Sequence, residues 1–405
     1  MTTLGASAKK TLYLLMSLAI ALLLGTLLMY VTGHNPALAY RMILRGSFGS
    51  RNAVLNSLTQ ATPIILTGLA FVVALKSGIV NIGAEGQLFA GAMAAALVGH
   101  YVQGLPAFIH IPLAILAACV AGGLCGSLIA FLKVRFGAHA VITAIMLNHI
   151  IINFMSYLVN FPLMAYGAVM GQTEMIQDTA RLPLLTGRLS IGIVIAVIVP
   201  ITMWFMFRYT QTGFEMQVTG KNLDAANTAG IRSGRRMIQA LFISGAIAGL
   251  AGAIEILGSL HTFIDRFSPG YGFDGIAVAF LSGVSFIGVI FSGIFFGALT
   301  AGSFEMSIFA RIPFDFAMVI QAMVIMLVAA PRLAEYIFSR FGWGKDFIAG
   351  KFAAKAALKP ASEATTKSAS ETAIESIPEA TSEIAIDFTS EATTESTTES
   401  TGKEA

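Results

Sequence analysis

The sequence predicts an all-α membrane protein, a polytopic bundle of about ten transmembrane helices. Three observations carry this. The 405 residues are 56% hydrophobic with a mean hydropathy of +0.77. Only 12% are charged, about half the share of a soluble domain, so lipid must be the main solvent. Apolar runs recur along the chain at the roughly 20-residue length that crosses a hydrocarbon core. The 40 glycines fit the same picture, since small residues let helices approach closely where lipid offers no hydrophobic drive.

The first run, Thr11 to Val31, follows Lys9 and Lys10. It is longer than a signal-peptide core and carries no convincing cleavage site, so it reads as a retained first helix. Further spans are expected at 52–75, 78–101, 111–132, 139–161, 189–208, 238–260, 275–288, 289–305 and 315–331. The pair at 275–288 and 289–305 is short and glycine-rich. Two crossings and a re-entrant pair are both open there, because short helices survive where protein or a polar cavity surrounds them.

Lys and Arg set the orientation. With the N-terminus inside, thirteen lie on inner segments before the tail: Lys9, Lys10, Lys76, Lys133, Arg135, Arg208, Lys221, Arg232, Arg235, Arg236, Arg332, Arg340 and Lys345. Seven lie outside: Arg41, Arg45, Arg51, Arg181, Arg188, Arg266 and Arg311. Both termini then face the cytoplasm. The charge pattern is a topology signal and gives no nucleic-acid footprint. Cys119 and Cys125 fall on different faces of one helix, which speaks against a disulfide. Residues 1–345 are read as the transmembrane domain. Residues 346–405 are read as a cytoplasmic Ser/Thr/Glu/Ala tail, too poor in apolar surface to offset ordering entropy.

Polar groups stand out in this background. The run Ser77-Gly78-Ile79-Val80-Asn81-Ile82-Gly83-Ala84-Glu85-Gly86-Gln87 puts an acid, two amides and glycines at the mouth of a helix. Capping and close packing explain it; so does the lining of a polar path. Gly270-Tyr271-Gly272-Phe273-Asp274-Gly275 loosely echoes it, again with an acid opening a glycine-rich helix. In the fifth span, Asn148 is a cavity candidate and His149 is expected to bond between helices. Asn81, Glu85, Gln87, Asn148 and Asp274 are therefore the expected pathway residues. The Gly-x-x-x-Gly pairs at Gly122, Gly245 and Gly293 are packing surfaces.

Two loops are long: 162–188 outside and 209–237 inside. In the inner one, Asn222 can cap a short helix from Leu223 to Ala229, closed by Gly230. Such a small, structured knob suits insertion into another protein. A phosphate-cradling loop is missing. The nearest stretch, Gly213 to Asn222, has the wrong spacing and ends Gly220-Lys221-Asn222. No nucleophile elbow, zinc-protease helix or metal-like histidine spacing appears. The chain is not expected to be an enzyme, nor to bind a metal or cofactor.

Three runs in this order, Gly78 to Gln87, Gly220-x-Asn222-x-x-Ala225-Ala226-x-x-x-Gly230-Ile231 and Gly270 to Ala277, resemble the permeases of bacterial ABC importers for nucleosides. These sit in a wider group serving simple sugars and branched-chain amino acids, and the resemblance covers about residues 10–345. It implies a cytoplasmic-membrane importer with ATP and Mg held by partner ATP-binding subunits. It also implies a second permease subunit and an extracellular substrate-binding lipoprotein. It makes residues 213–236 the coupling loop, with Gly220, Asn222, Ala225, Ala226 and Gly230 at the ATPase contact. A simple-sugar permease is the near alternative. An ion-coupled transporter would need mid-helix acids, of which Glu255 is the main example.

Overall fold

A computed structural model describes residues 23–313, with Phe316 and Val319. The expected span 315–331 and the tail at 346–405 lie outside the described residues, apart from those two positions. Helix α1 is described over residues 23–31. It is followed by α2 (Pro36–Phe48), α3 (Arg51–Lys76), α4 (Ala84–Tyr101), α5 (Ala107–Phe136), α6 (Ala140–Asn160) and α7 (Gly192–Tyr209). Then come α8 (Gln211–Lys221), α9 (Leu223–Thr228), α10 (Ser233–Glu255), α11 (Tyr271–Leu281) and α12 (Gly288–Ala310). A small antiparallel hairpin, β1 (Leu184–Thr186) with β2 (Leu189–Ser190), interrupts the helical pattern inside the expected outer loop.

Six of these helices are long and apolar enough to cross a membrane: α3, α5, α6, α7, α10 (with its extension to Leu260) and α12. They sort into two layers. The apolar window of α10 is 83% buried and that of α3 78%, against 17% for α6 and 22% for α7. A helix that is apolar on all sides and also buried belongs at the centre. Helix α10 is that centre and packs on α3, α4 and α5. The Gly-x-x-x-Gly pairs make the contact: Gly122 and Gly126 of α5 lie against Gly245 and Gly249 of α10, backbone on backbone. Gly293 and Gly297 of α12 seat on Ile65 and Ala61 of α3 in the same way.

Helix α2 is a correction. It occupies Pro36–Phe48, between the expected spans 11–31 and 52–75, where no helix is expected from the sequence. Asn35 caps it, accepting from Ala37 N and Leu38 N. Its apolar face (Ala39, Met42, Ile43) is covered by Met306 and Ile312. Arg41 and Arg45 thus belong to a helix, not to an open basic loop.

The 275–305 region also resolves. Helix α10 ends in a π-helical turn, Ile256–Leu260, in which His261 N donates to Ile256 O at 2.8 Å, and the carbonyls after Ile256 lie past the helix end without helical partners. The outer loop satisfies them: Leu182 N donates to Leu257 O at 2.8 Å, and Ile176 N to His261 O at 2.9 Å. Residues 261–270 then run without helix until α11 starts beside Thr67, about midway along α3. Helix α11 has only 11 residues, about 16 Å. Beyond it, Phe286 lies under Lys76, whose Nζ is 5.3 Å from the ring centroid. The stretch 261–281 is therefore half irregular and half helix. Helix α12 returns whole over 23 residues. This corrects the expectation of a second short element; its glycines conceal a full-length span that packs closely on α3.

Candidate functional site

The first glycine motif forms an unwound entry. Residues 77–83 carry no helix, and α4 begins at Ala84 with Gly83 as its N-cap. Glycine has no side chain to cap with, so the cap comes from another helix. Asn148 Oδ1 of α6 accepts from Gly86 N at 2.8 Å, and its Nδ2 donates to Ile82 O at 2.8 Å. Asn81 uses all four of its hydrogen-bonding positions. Its Nδ2 donates to Gln87 Oε1 and to Ser244 Oγ, both at 2.8 Å. Its Oδ1 accepts from Gly83 N at 3.0 Å and Gln87 Nε2 at 3.1 Å. Ser244 in turn donates to Ala70 O at 2.7 Å. One asparagine thus ties α3, α4 and α10 together.

The third motif is built alike and meets the first. Helix α11 begins after Gly270, which again caps nothing and holds φ +112°. Ser268 Oγ accepts from Tyr271 N at 3.1 Å. Glu85, in the first turn of α4, accepts from Gly272 N through Oε2 at 2.5 Å. The side chain of one broken helix therefore caps the other, and two helix N-termini face each other across a buried carboxylate. Each end carries partial positive charge, which suits an acid. Tyr271 fixes the join: its carbonyl accepts from Thr67 Oγ1 at 2.7 Å, and its hydroxyl donates to Gln60 Oε1 at 2.6 Å. Tyr271 lies within electrostatic reach of Glu255, Asp274 and Glu85. Asp274 is half-buried, and its carboxylate makes no hydrogen bond among the described residues.

Of the expected pathway residues, Asn81, Gln87 and Asn148 are buried, and their amides bond to the protein itself. Glu85 sits at the centre of the site, and Asp274 at its edge keeps a free carboxylate. His149 is a further correction: it is exposed on α6 and bonds to no described neighbour.

At the end of the molecule holding Lys76 and Lys221, α8 and α9 form the inner knob. Asn222 Oδ1 accepts from Asp224 N at 3.0 Å and Ala225 N at 3.1 Å. Helix α9 closes at Ala229, with Gly230 at φ +78°. Gly230 N donates to Asn227 O and Ile231 N to Ala226 O, both at 3.0 Å, the two-bond closure that a left-handed glycine permits. Leu223, Asp224 and Ala225 are exposed. Ala226 is fully buried in the chain. Arg236 of α10 anchors the knob, its Nε donating to Glu215 Oε2 at 2.5 Å. That bond, with one from Gln211, holds the Glu215 carboxyl below the usual carboxylate range. Gly220 packs against the backbone of Lys76, Ser77 and Gly78, at the start of the unwound entry.

The family model described as "Branched-chain amino acid transport system / permease component" matches residues 53–329. The chain belongs to this permease family. The guanosine ABC transporter permease protein NupP of Bacillus subtilis (strain 168) is 36% identical over 334 residues, 80% of this chain and 95% of the relative. The nucleoside ABC transporter permease protein NupB of Lactococcus lactis subsp. cremoris is 31% identical over 343 residues, 82% and 94% of the two chains. The glucose ABC transporter permease protein TsgB13 of Haloferax volcanii is 31% identical over 339 residues, 81% and 88%. No solved structure matches the chain.

The site also contains Ser244, Gln60 and Thr67, which have ordinary local contexts and gain meaning only from distant partners. Glu255 had a local signal, an acid inside an apolar helix, and stands just before the π-helical turn. Asn81→Ala should destabilise the permease by about 2–4 kcal/mol, because it orphans buried groups on Gln87 and Ser244. Thermal unfolding in detergent reads this; an unchanged midpoint would remove Asn81 from its structural role.

Proposed function

We propose that the permease is the membrane conduit of an ATP-driven nucleoside importer, working by alternating access. One observation carries the reading: two helices, each broken at a glycine motif, meet N-terminus to N-terminus deep in the bundle at Glu85 and Gly272. Discontinuous helices of this kind occur where a transporter holds its solute. In this reading Glu85, Asp274 and Tyr271 form the solute gate, while Asn81, Gln87 and Asn148 hold it in shape. ATP and Mg act in partner subunits. Those subunits grip the knob around Gly220, Asn222, Ala225 and Gly230, which faces the cytoplasm by the Lys/Arg bias. A second permease subunit and an extracellular binding lipoprotein complete the importer in the cell membrane. Likeness to the guanosine and nucleoside permeases favours nucleosides. Likeness to the glucose permease keeps a sugar as the second reading.

Proteoliposomes containing the whole importer decide between these readings. ATP-dependent uptake of labelled guanosine, absent without the ATP-binding subunit, is the expected result. Uptake of glucose alone would select the sugar reading. Guanosine uptake driven by an ion gradient without the ATP-binding subunit would overturn the ABC mechanism.

A further inference from the structure

A polar cavity, separate from the helix-break site, lies between the first half of α3, helices α2 and α12, and the β-hairpin turn. Its volume is about 530 Å³, within the range that holds a small organic ligand. Asn52, Asn56 and Gln60 line it from α3. They are spaced four residues apart, so they stack on one face, one amide per turn. Arg45, Arg188 and Glu305 stand opposite and at the rim.

These groups are largely unengaged. Asn52 and Asn56 are exposed, and among the described residues neither forms a hydrogen bond. Arg45, Arg188 and Glu305 likewise form no ion pair there, although the Arg45 guanidinium lies over the Phe309 ring at 5.9 Å. Polar side chains gathered around a cavity without partners are ready to bond a guest, whereas Asn81, Gln87 and Asn148 already bond to protein. Gln60 belongs to both places: it lines the cavity, and its Oε1 accepts from the Tyr271 hydroxyl at the start of α11.

We infer that this cavity is a first, outer solute subsite, in which the amide ladder of α3 receives a neutral polar solute before it reaches the helix-break site. Each amide offers both a donor and an acceptor, which matches a nucleobase edge or a row of sugar hydroxyls. An anion would be met by Glu305 as well as by the two arginines. The ladder leads along α3 to Gln60 and Tyr271, so a solute on it is handed toward Glu85 and Asp274. This rests on the importer reading above.

The test uses the complete importer in proteoliposomes with labelled guanosine. Asn52→Leu together with Asn56→Leu keeps the side-chain size on exposed positions and removes the hydrogen bonds. The expected result is a rise of about ten-fold in the KM for uptake, with the maximal rate within two-fold. Stimulation of ATP hydrolysis by the binding protein should stay unchanged. Combining Asn52→Leu with Asn56→Gln, which puts an amide back at the second position, should recover part of the KM. An unchanged KM, or a loss confined to stimulation by the binding protein, overturns the subsite and in the second case makes this face a docking surface. A wild-type importer that moves guanosine while the double variant matches it defeats this inference alone. A wild-type importer with no ATP-dependent uptake of guanosine or glucose defeats the importer reading and this inference with it.

Discussion

Replacing Gly220 by alanine should leave ATP hydrolysis by the assembled importer running while solute uptake falls at least ten-fold. The reason is a backbone-to-backbone contact. A methyl group at Gly220 would stand 2.7 Å from Gly78 N and 2.8 Å from Ser77 C, closer than any settled contact. Gly78 returns the constraint, since a methyl there would stand 2.8 Å from Gly220 Cα, and its φ of +82° suits glycine. No flexible side-chain tip lies between them that could swing aside. The added methyl therefore pushes α8 off the turn that opens the unwound 77–83 segment, the segment that leads to Asn81 and Glu85. The knob should still dock and its partner should still hydrolyse ATP, but the displacement no longer reaches the helix break. Hydrolysis and uptake measured on the same proteoliposomes check this. If both fall in proportion, or neither falls, Gly220 transmits nothing.

Gly272→Ala should destabilise the molecule strongly, by about 3 kcal/mol or more. Its methyl would meet Glu85 Cα and Oε2, each at 2.7 Å, and crowd Glu85 N still more closely. Helix α4 cannot retreat, because Asn148 holds Gly86 and Ile82 while Asn81 holds Gln87 and Ser244. The carboxylate would lose its bond to Gly272, leaving a buried acid and a buried N–H without each other. Gly137→Ala serves as the contrast. It changes a left-handed helix end at φ +70° with open space around it, and should cost only about 1 kcal/mol. Thermal unfolding of both variants in detergent gives the comparison. Equal midpoints would mean that the α4–α11 junction is loose.

The membrane class and the main spans were legible because they follow from local chemistry. Without water, a lipid-embedded backbone must bond to itself, so a long apolar run has one outcome, a helix. The cap of α9 was legible for a similar reason: Asn222 and Gly230 act on groups at most five residues away. Helix α2 escaped notice because its stability comes from burial against α12, more than 250 residues later in the chain. The roles of Asn81 and Glu85 escaped for the same reason. Asn81 bonds Ser244 across 163 residues, and Glu85 bonds Gly272 across 187. From the residue order alone both glycine motifs are polar interruptions, equally suited to cap a helix or to line a path. Only the packed bundle lets Glu85 of the first motif cap α11 and Asn148 of α6 cap α4, because a buried N–H must find its acceptor wherever the fold brings one.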